Sequence, residues 1–233
     1  MTLAVTRPEN DAHGVAEALI LRGHTVVMAP LLAIVPRPNV RLAHASYQAI
    51  AVTSANGPRS LGRAVRNLNL DTPVFAVGQQ SQLAAKALGF RDVTAVGGDV
   101  DGMFAHLRIA LSPSGGPILY LSGAETSGDL EGKLRSAGFG VERVICYDAV
   151  PLHLDAQCAA VAGCNGVLLY SPRTAKLWLA ECARLKLDLS AKLHFCLSPR
   201  VAQALPPNTH ISIASAPHDA ALLALLDLAS EAE

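Results

Sequence analysis

The chain is short of charge, of aromatic rings and of paired cysteines, and each shortage narrows what it can be. Charged residues make up 16%, and Lys+Arg equals Asp+Glu at 19 each. Without net charge there is no long-range pull toward nucleic acid or an anionic membrane surface, so neither is expected as a partner. Aromatics are 4% against 51% hydrophobic residues. The core is therefore built from Ala, Leu and Val, the composition of an α/β protein with buried strands. No apolar run reaches the roughly 18 residues that a membrane span needs. The first residues already read as a strand, which points to no signal peptide and a cytoplasmic location. Cys146, Cys158, Cys164, Cys182 and Cys196 form no CxxC pair. An odd number without a framework reads as reduced, buried thiols. The histidines show no spacing such as HExxH, so no metal is expected.

Missing motifs exclude further classes. There is no GxGxxG turn for a dinucleotide and no GxxxxGK[ST] loop for a nucleoside triphosphate. No Asp pair follows the first strand, and the GxSxG elbow of a hydrolase is absent. No cofactor is expected.

What the chain does have is an internal repeat. Leu3 to Pro36 superimposes without a gap on Ile118 to Pro151, with Gly23 on Gly138, a constant offset of 115. The segments after each, containing VTSANG (Val52 to Gly57) and YSPRT (Tyr170 to Thr174), form a second pair. The order is A, B, A′, B′. A unit this long is too large for a solenoid. It predicts a duplicated α/β domain with a ligand held between similar halves.

Short, β-branched apolar runs predict strands at 2–6, 25–29, 48–53, 74–77, 93–96, 117–121, 141–146, 166–170, 193–197 and 210–213. Between them, amphipathic spacing predicts helices. Glu9–Arg22 and Asp129–Ala137 each end at a glycine, a natural C-cap. The others are Ser54–Asn67, Gln79–Leu88, Val100–Leu111, Arg173–Leu185, Val201–Leu205 and Asp219–Ala229. Alternation of this kind predicts parallel sheets. Two proline-bounded stretches, Pro30 to Pro38 and Tyr147 to Pro151, read as extended linkers at matching places. Either A folds with B′ and A′ with B, or the domains follow one another in sequence.

In open parallel sheets, ligands bind beyond the carboxyl ends of the strands. The segments there share one type, small and hydroxyl-bearing at a helix start. They are Thr6-Arg7-Pro8, Thr53-Ser54-Ala55-Asn56, Gly78-Gln79-Gln80-Ser81, Ser122-Gly123, Ser171-Pro172-Arg173 and Ser198-Pro199-Arg200. Any one hydroxyl is explained by helix capping. Their recurrence on both halves, beside Arg7, Arg173 and Arg200, suits a ligand with many carboxylates or phosphates.

With these motifs in order, the sequence resembles the uroporphyrinogen-III synthase family over essentially its whole length. The resemblance rests on VTRP (Val5 to Pro8), PLLAI (Pro30 to Ile34), VTSANG and AVGxxS (Ala76 to Ser81). It continues through CYDAVP (Cys146 to Pro151), YSPRT and LSPRVAQAL. It implies two similar parallel-sheet α/β domains joined by a two-stranded linker, the first discontinuous. That divides the chain into 1–34 with 152–233, and 38–147, with linkers 35–37 and 148–151. It also implies a cofactor-free enzyme that cyclises hydroxymethylbilane to uroporphyrinogen III, inverting ring D through a spiro intermediate. Tyr147 aligns with the family's candidate proton donor. The substrate-binding set becomes Arg7, Thr53, Ser54, Ser81, Ser122, Gly123, Ser171, Arg173, Ser198 and Arg200. Three positions depart from the family pattern. Ser122 stands where many members carry arginine, Ser81 replaces threonine, and Ser198-Pro199-Arg200-Val201 replaces a Gly-Pro-x-Thr-type loop. The rival reading is a two-lobed binding or sensor protein that holds a polycarboxylate without converting it. A monomer is expected.

Overall fold

A computed structural model describes residues 1–230. Its contacts divide the chain into two compact units, Met1–Ala33 with Val150–Glu233, and Ile34–Ala149. Each unit holds one sheet, in which parallel pairing dominates.

The first sheet runs β11 (His210–Ile213), β10 (Leu193–Cys196), β9 (Gly166–Leu169), β1 (Thr2–Val5), β2 (Thr25–Met28). All four pairings are parallel. Successive β1 residues serve opposite faces, as the pleat requires. Leu3 and Val5 enter a cluster with Leu19, Phe195 and Leu222, while Ala4 faces Leu31, Trp178 and Val201. Helices α1 (Glu9–Leu21) and α9 (Asp219–Ser230) cover the first face, and α7 (Pro172–Leu185) and α8 (Pro199–Ala202) the second.

The second sheet runs β3 (Leu32–Pro36), β8 (Val141–Pro151), β7 (Ile118–Gly123), β4 (Ala49–Val52), β5 (Val74–Ala76), β6 (Val93–Ala95). From β8 to β6 every pairing is parallel. Ile50 and Val52 pack with Leu119 and Leu121 on one face, and Ala49 and Ala51 with Ile118 and Tyr120 on the other. The remaining helices are α2 (Asn56–Arg59), α3 (Gln79–Ala87), α4 (Val100–Ala110) and α5 (Leu130–Ser136) here, and α6 (Cys158–Ala162) in the first unit.

The repeat survives in the pairing register. Leu3 pairs with Val26 and Ile118 with Val141, each partner displaced by the offset seen in the sequence. Leu3 also pairs with Gly166, and Ile118 with Ala49, so Gly166 and Ala49 correspond. Apart from β3, both sheets thus set two strands of an A repeat beside three of a B repeat, A with B′ in the first and A′ with B in the second. The glycines that end α1 and α5 correspond as well, and both hold the positive φ that favours glycine, Gly23 at 80° and Gly138 at 87°.

The two linkers pair as the resemblance implies, and two other local features differ from expectation. The segment read as an extended linker after Pro30 is strand β3, paired with β8. Its N–H at Arg37 donates to Cys146 O (2.8 Å), and Leu152 N–H donates to Leu31 O (3.0 Å). Numbers fall on one strand as they rise on the other, so the two crossings run antiparallel. The single helix expected over Ser54–Asn67 is broken into α2 and a 3-10 turn at Gly62–Asn67, because Gly62, where that turn begins, takes φ +58°. Helix α6 was not expected, its five residues being too short to show a period.

Candidate functional site

Parallel pairing puts the carboxyl ends of β8, β7, β4 and β5 on one edge of the second sheet. Six of the candidate residues lie along it. Thr53 and Ser54 follow β4, and Ser81 sits in the first turn of α3 after β5. Ser122 and Gly123 end β7, and Tyr147 pairs with Gly123 from β8. Thr53 Oγ1 lies 3.1 Å from the Tyr120 hydroxyl. Burial raises the Tyr120 pKa and keeps that phenol protonated. Ser54 Oγ accepts the Asn56 N–H at 3.2 Å, so it caps the turn as its residue type predicts. Ser81 and Ser122 are buried.

Tyr147 is buried too, and packs with Val52, Leu121 and Cys146. Its place depends on an irregularity. Ser122 pairs with Ile145, yet Gly123 pairs with Tyr147, so Cys146 is an extra residue on β8. Such a bulge re-aims the side chain that follows it. The Ala124 N–H closes the bulge by donating to Tyr147 O at 3.0 Å.

The loop after β7 is held by Arg143, which the sequence reading did not single out. Its Nε–H donates to Ser122 Oγ, and its Nη2 donates to Gly123 O and Ala124 O, all at 2.9 Å. The resemblance placed an arginine at position 122; the structure brings one to the same loop from the neighbouring strand. No spacing signals this, because the partners lie 20 residues apart and meet only through parallel pairing.

The first sheet carries the other five candidates on its own carboxyl edge. Arg7 follows β1, Ser171 and Arg173 follow β9, and Ser198 and Arg200 follow β10. Arg7 is not a loose charge. Its Nη1 donates to both carboxylate oxygens of Asp219 at 2.8 Å, and its guanidinium stacks 4.7 Å from the Tyr170 ring centre. The Tyr170 hydroxyl beneath is buried without a hydrogen-bond partner among the described residues, and burial pushes its pKa up. Ser171 forms a capping box at the start of α7. Its Oγ accepts the Thr174 N–H (3.1 Å), and Thr174 Oγ1 accepts the Ser171 N–H (3.0 Å). Ser198 occupies the N-cap of α8, with no side-chain capping bond among the described residues. Arg173 is half-buried and Arg200 exposed. A separate open groove of about 490 Å³ between α4 and α5, lined by Phe104, Arg108, Asp129 and Lys133 among others, contains none of the candidate residues.

Comparison with known proteins agrees with this architecture. The family model described as uroporphyrinogen-III synthase HemD matches residues 14–224. Uroporphyrinogen-III synthetase from Helicobacter pylori is similar in fold, with 16% identity and a TM-score of 0.65, over 100% of this chain and 99% of that one. A mutant uroporphyrinogen III synthase from the extremely thermophilic bacterium Thermus thermophilus is similar over 100% of both chains, with 16% identity and a TM-score of 0.61. No curated protein sequence matches. At such low identity the solved structures speak for the fold alone, whereas the family model spans nearly the whole sequence. By that match, the chain belongs to the uroporphyrinogen-III synthase family.

Proposed function

We infer that this chain cyclises hydroxymethylbilane in tetrapyrrole biosynthesis, forming uroporphyrinogen III with ring D inverted. The observation that carries the reading is the family match over residues 14–224. The substrate is a linear tetrapyrrole edged with acetate and propionate groups. Hydroxyls and first-turn N–H groups along a sheet's carboxyl edge suit such a rim without a dense cluster of cations. Thr53, Ser54 and Ser81 from one unit and Ser171, Arg173, Ser198 and Arg200 from the other are the groups we propose for those carboxylates. Arg7 joins them where a substrate carboxylate competes with Asp219.

The reaction loses the ring A hydroxyl as water, which needs one proton. We propose Tyr147 as its donor. The electron-poor methylene left behind is attacked by the α-carbon of ring D that already bears the chain. That bond makes the spiro centre. Breaking the older link to ring C and re-forming it at the free α-carbon inverts ring D, and a proton leaves as the pyrrole recovers. The bilane also closes unaided, without inversion, so the enzyme supplies orientation and excludes the simpler closure. A hundredfold preference requires about 2.7 kcal/mol of differential transition-state binding. A purely binding protein gives no such preference.

The test is a coupled assay that supplies hydroxymethylbilane and separates the uroporphyrinogen isomers. Type III product in excess over the spontaneous reaction is expected; type I alone overturns the reading. We further propose a cytoplasmic monomer that works without a cofactor. Four of its five cysteines are buried free thiols, which suits a reducing compartment. No helix among the described residues is long and apolar enough to cross a membrane.

A further inference from the structure

We propose that Gly123 and Arg143 are positioning residues that set the phenol of Tyr147. This rests on the reading of Tyr147 as proton donor and goes one step beyond it. Two independent observations meet at this point.

The first is a close approach. A Cβ built on Gly123 would lie 2.7 Å from Tyr147 Cζ, 2.8 Å from Cε2 and 3.1 Å from the phenol oxygen. All three atoms belong to the hydroxyl end of the ring. The glycine backbone is therefore the floor on which the proton-bearing end rests. Any side chain there displaces the oxygen itself, since the near atoms are a stiff ring and not the tip of a flexible chain. The second is the brace on that floor. Arg143 grips the carbonyls of residues 123 and 124 with one nitrogen and the Ser122 hydroxyl with another. Its third nitrogen lies 4.0 Å from the Glu131 carboxylate. A planar fork spanning three successive residues fixes a loop in a way that lysine cannot. The bulge at Cys146 and the Ala124 to Tyr147 bond complete the frame. Floor, brace and ring thus form one unit, in which Arg143 acts on Tyr147 only through the loop.

General acids contribute on the order of 10²-fold or more when correctly placed, and displacement of about 1 Å forfeits much of that. The experiment measures kcat and KM for Gly123→Ala, Arg143→Gln and Tyr147→Phe, and for each of the first two combined with Tyr147→Phe. Thermal melting checks that each variant folds. Tyr147→Phe should lower kcat roughly 10- to 100-fold. Gly123→Ala should approach that loss with KM within about twofold, and Arg143→Gln should lose less. In the Tyr147→Phe background neither change should lower kcat further, because no hydroxyl remains to misplace. A merely structural role lowers kcat by the same factor in both backgrounds, and that result overturns the proposal. So does full activity in Gly123→Ala while Tyr147→Phe is impaired. If Tyr147→Phe itself is fully active, the proton-donor reading falls first and this inference with it. Should Gly123→Ala not fold, the Arg143→Gln pair decides by the same criterion.

Discussion

Apart from the edge strand β3, the two sheets share strand order and register, yet they tie down their polar ends in opposite ways. At the end of β1 the arginine belongs to the loop itself. Arg7 pairs with Asp219 and stacks on Tyr170. At the corresponding end of β7 the loop carries Ser122, and the arginine arrives from the next strand to hold backbone carbonyls. A second contrast lies before β10 and β5. Lys192 and Thr72 correspond, and their N–H groups close matching turns onto Leu189 O and Asn69 O. In the first unit Lys192 Nζ donates to Val161 O, Ala162 O and Cys164 O, at 2.9 to 3.0 Å, and so caps α6. In the second unit a clasp stands before β4 instead, in which the Tyr47 hydroxyl and the Ala43 N–H donate to Glu142. A duplicated backbone therefore leaves its loose ends to be satisfied separately, and each half has found its own partners.

The largest test of this contrast exchanges the residues themselves. Lys192→Thr gives the first unit the second unit's residue and leaves the carbonyls of Val161, Ala162 and Cys164, in two buried bonds and one half-buried, without their charged donor. We expect a loss of about 3 kcal/mol in urea unfolding; a loss below about 1 kcal/mol would show that α6 does not need the lysine. Next in size is Arg7. If it serves a substrate carboxylate despite Asp219, Arg7→Ala raises KM about fivefold, the effect of a partly exposed charge pair. An unchanged KM assigns Arg7 to Asp219 alone.

The smallest effect separates the units by acid. His194 corresponds to Val74 in the second sheet, by the same pairing. His194 Nε2 accepts the Trp178 indole N–H at 3.2 Å, and its Nδ1 faces His210 O at 3.3 Å. Burial lowers its pKa from the ordinary 6.5. The neutral ring is thus favoured in the fold, and its contribution is full above pH 6.5 and declines as pH falls below it. Glu181 adds to the same trend further down. Bonds from Arg184, Leu154 N–H and His153 hold it at about 2 rather than 4.5. Its contribution is complete above pH 4.5 and is lost toward pH 2. His194→Val should therefore flatten the fall in stability between pH 7 and pH 5; an identical fall in the variant removes His194 as its cause.

Much of the fold was legible. Each of the ten strands expected from apolar runs is present, because a strand covered on both faces must be continuously apolar. The gapless offset survives as pairing register because one slipped residue would turn every side chain to the wrong face. Less regular segments were not legible. β3 looks like a proline-rich linker until β8 lies beside it, and the break at Gly62 follows from one dihedral angle. In the candidate site, hydroxyls after strands were visible by type and position. Arg143, Asp219 and the bulge at Cys146 were not, since each depends on a partner distant in the chain.

Alone, the sequence determined ten of the eleven strands among the described residues and their order, the duplication, and which residues lie at carboxyl ends, since these follow from local hydrophobic pattern and chain connectivity. The tertiary structure decided which charges are spent on other side chains, which serine is buried under an arginine, and why residue 123 has no side chain. Those outcomes depend on contacts between strands, where distances of a few tenths of an ångström separate packing from collision and no local pattern records them.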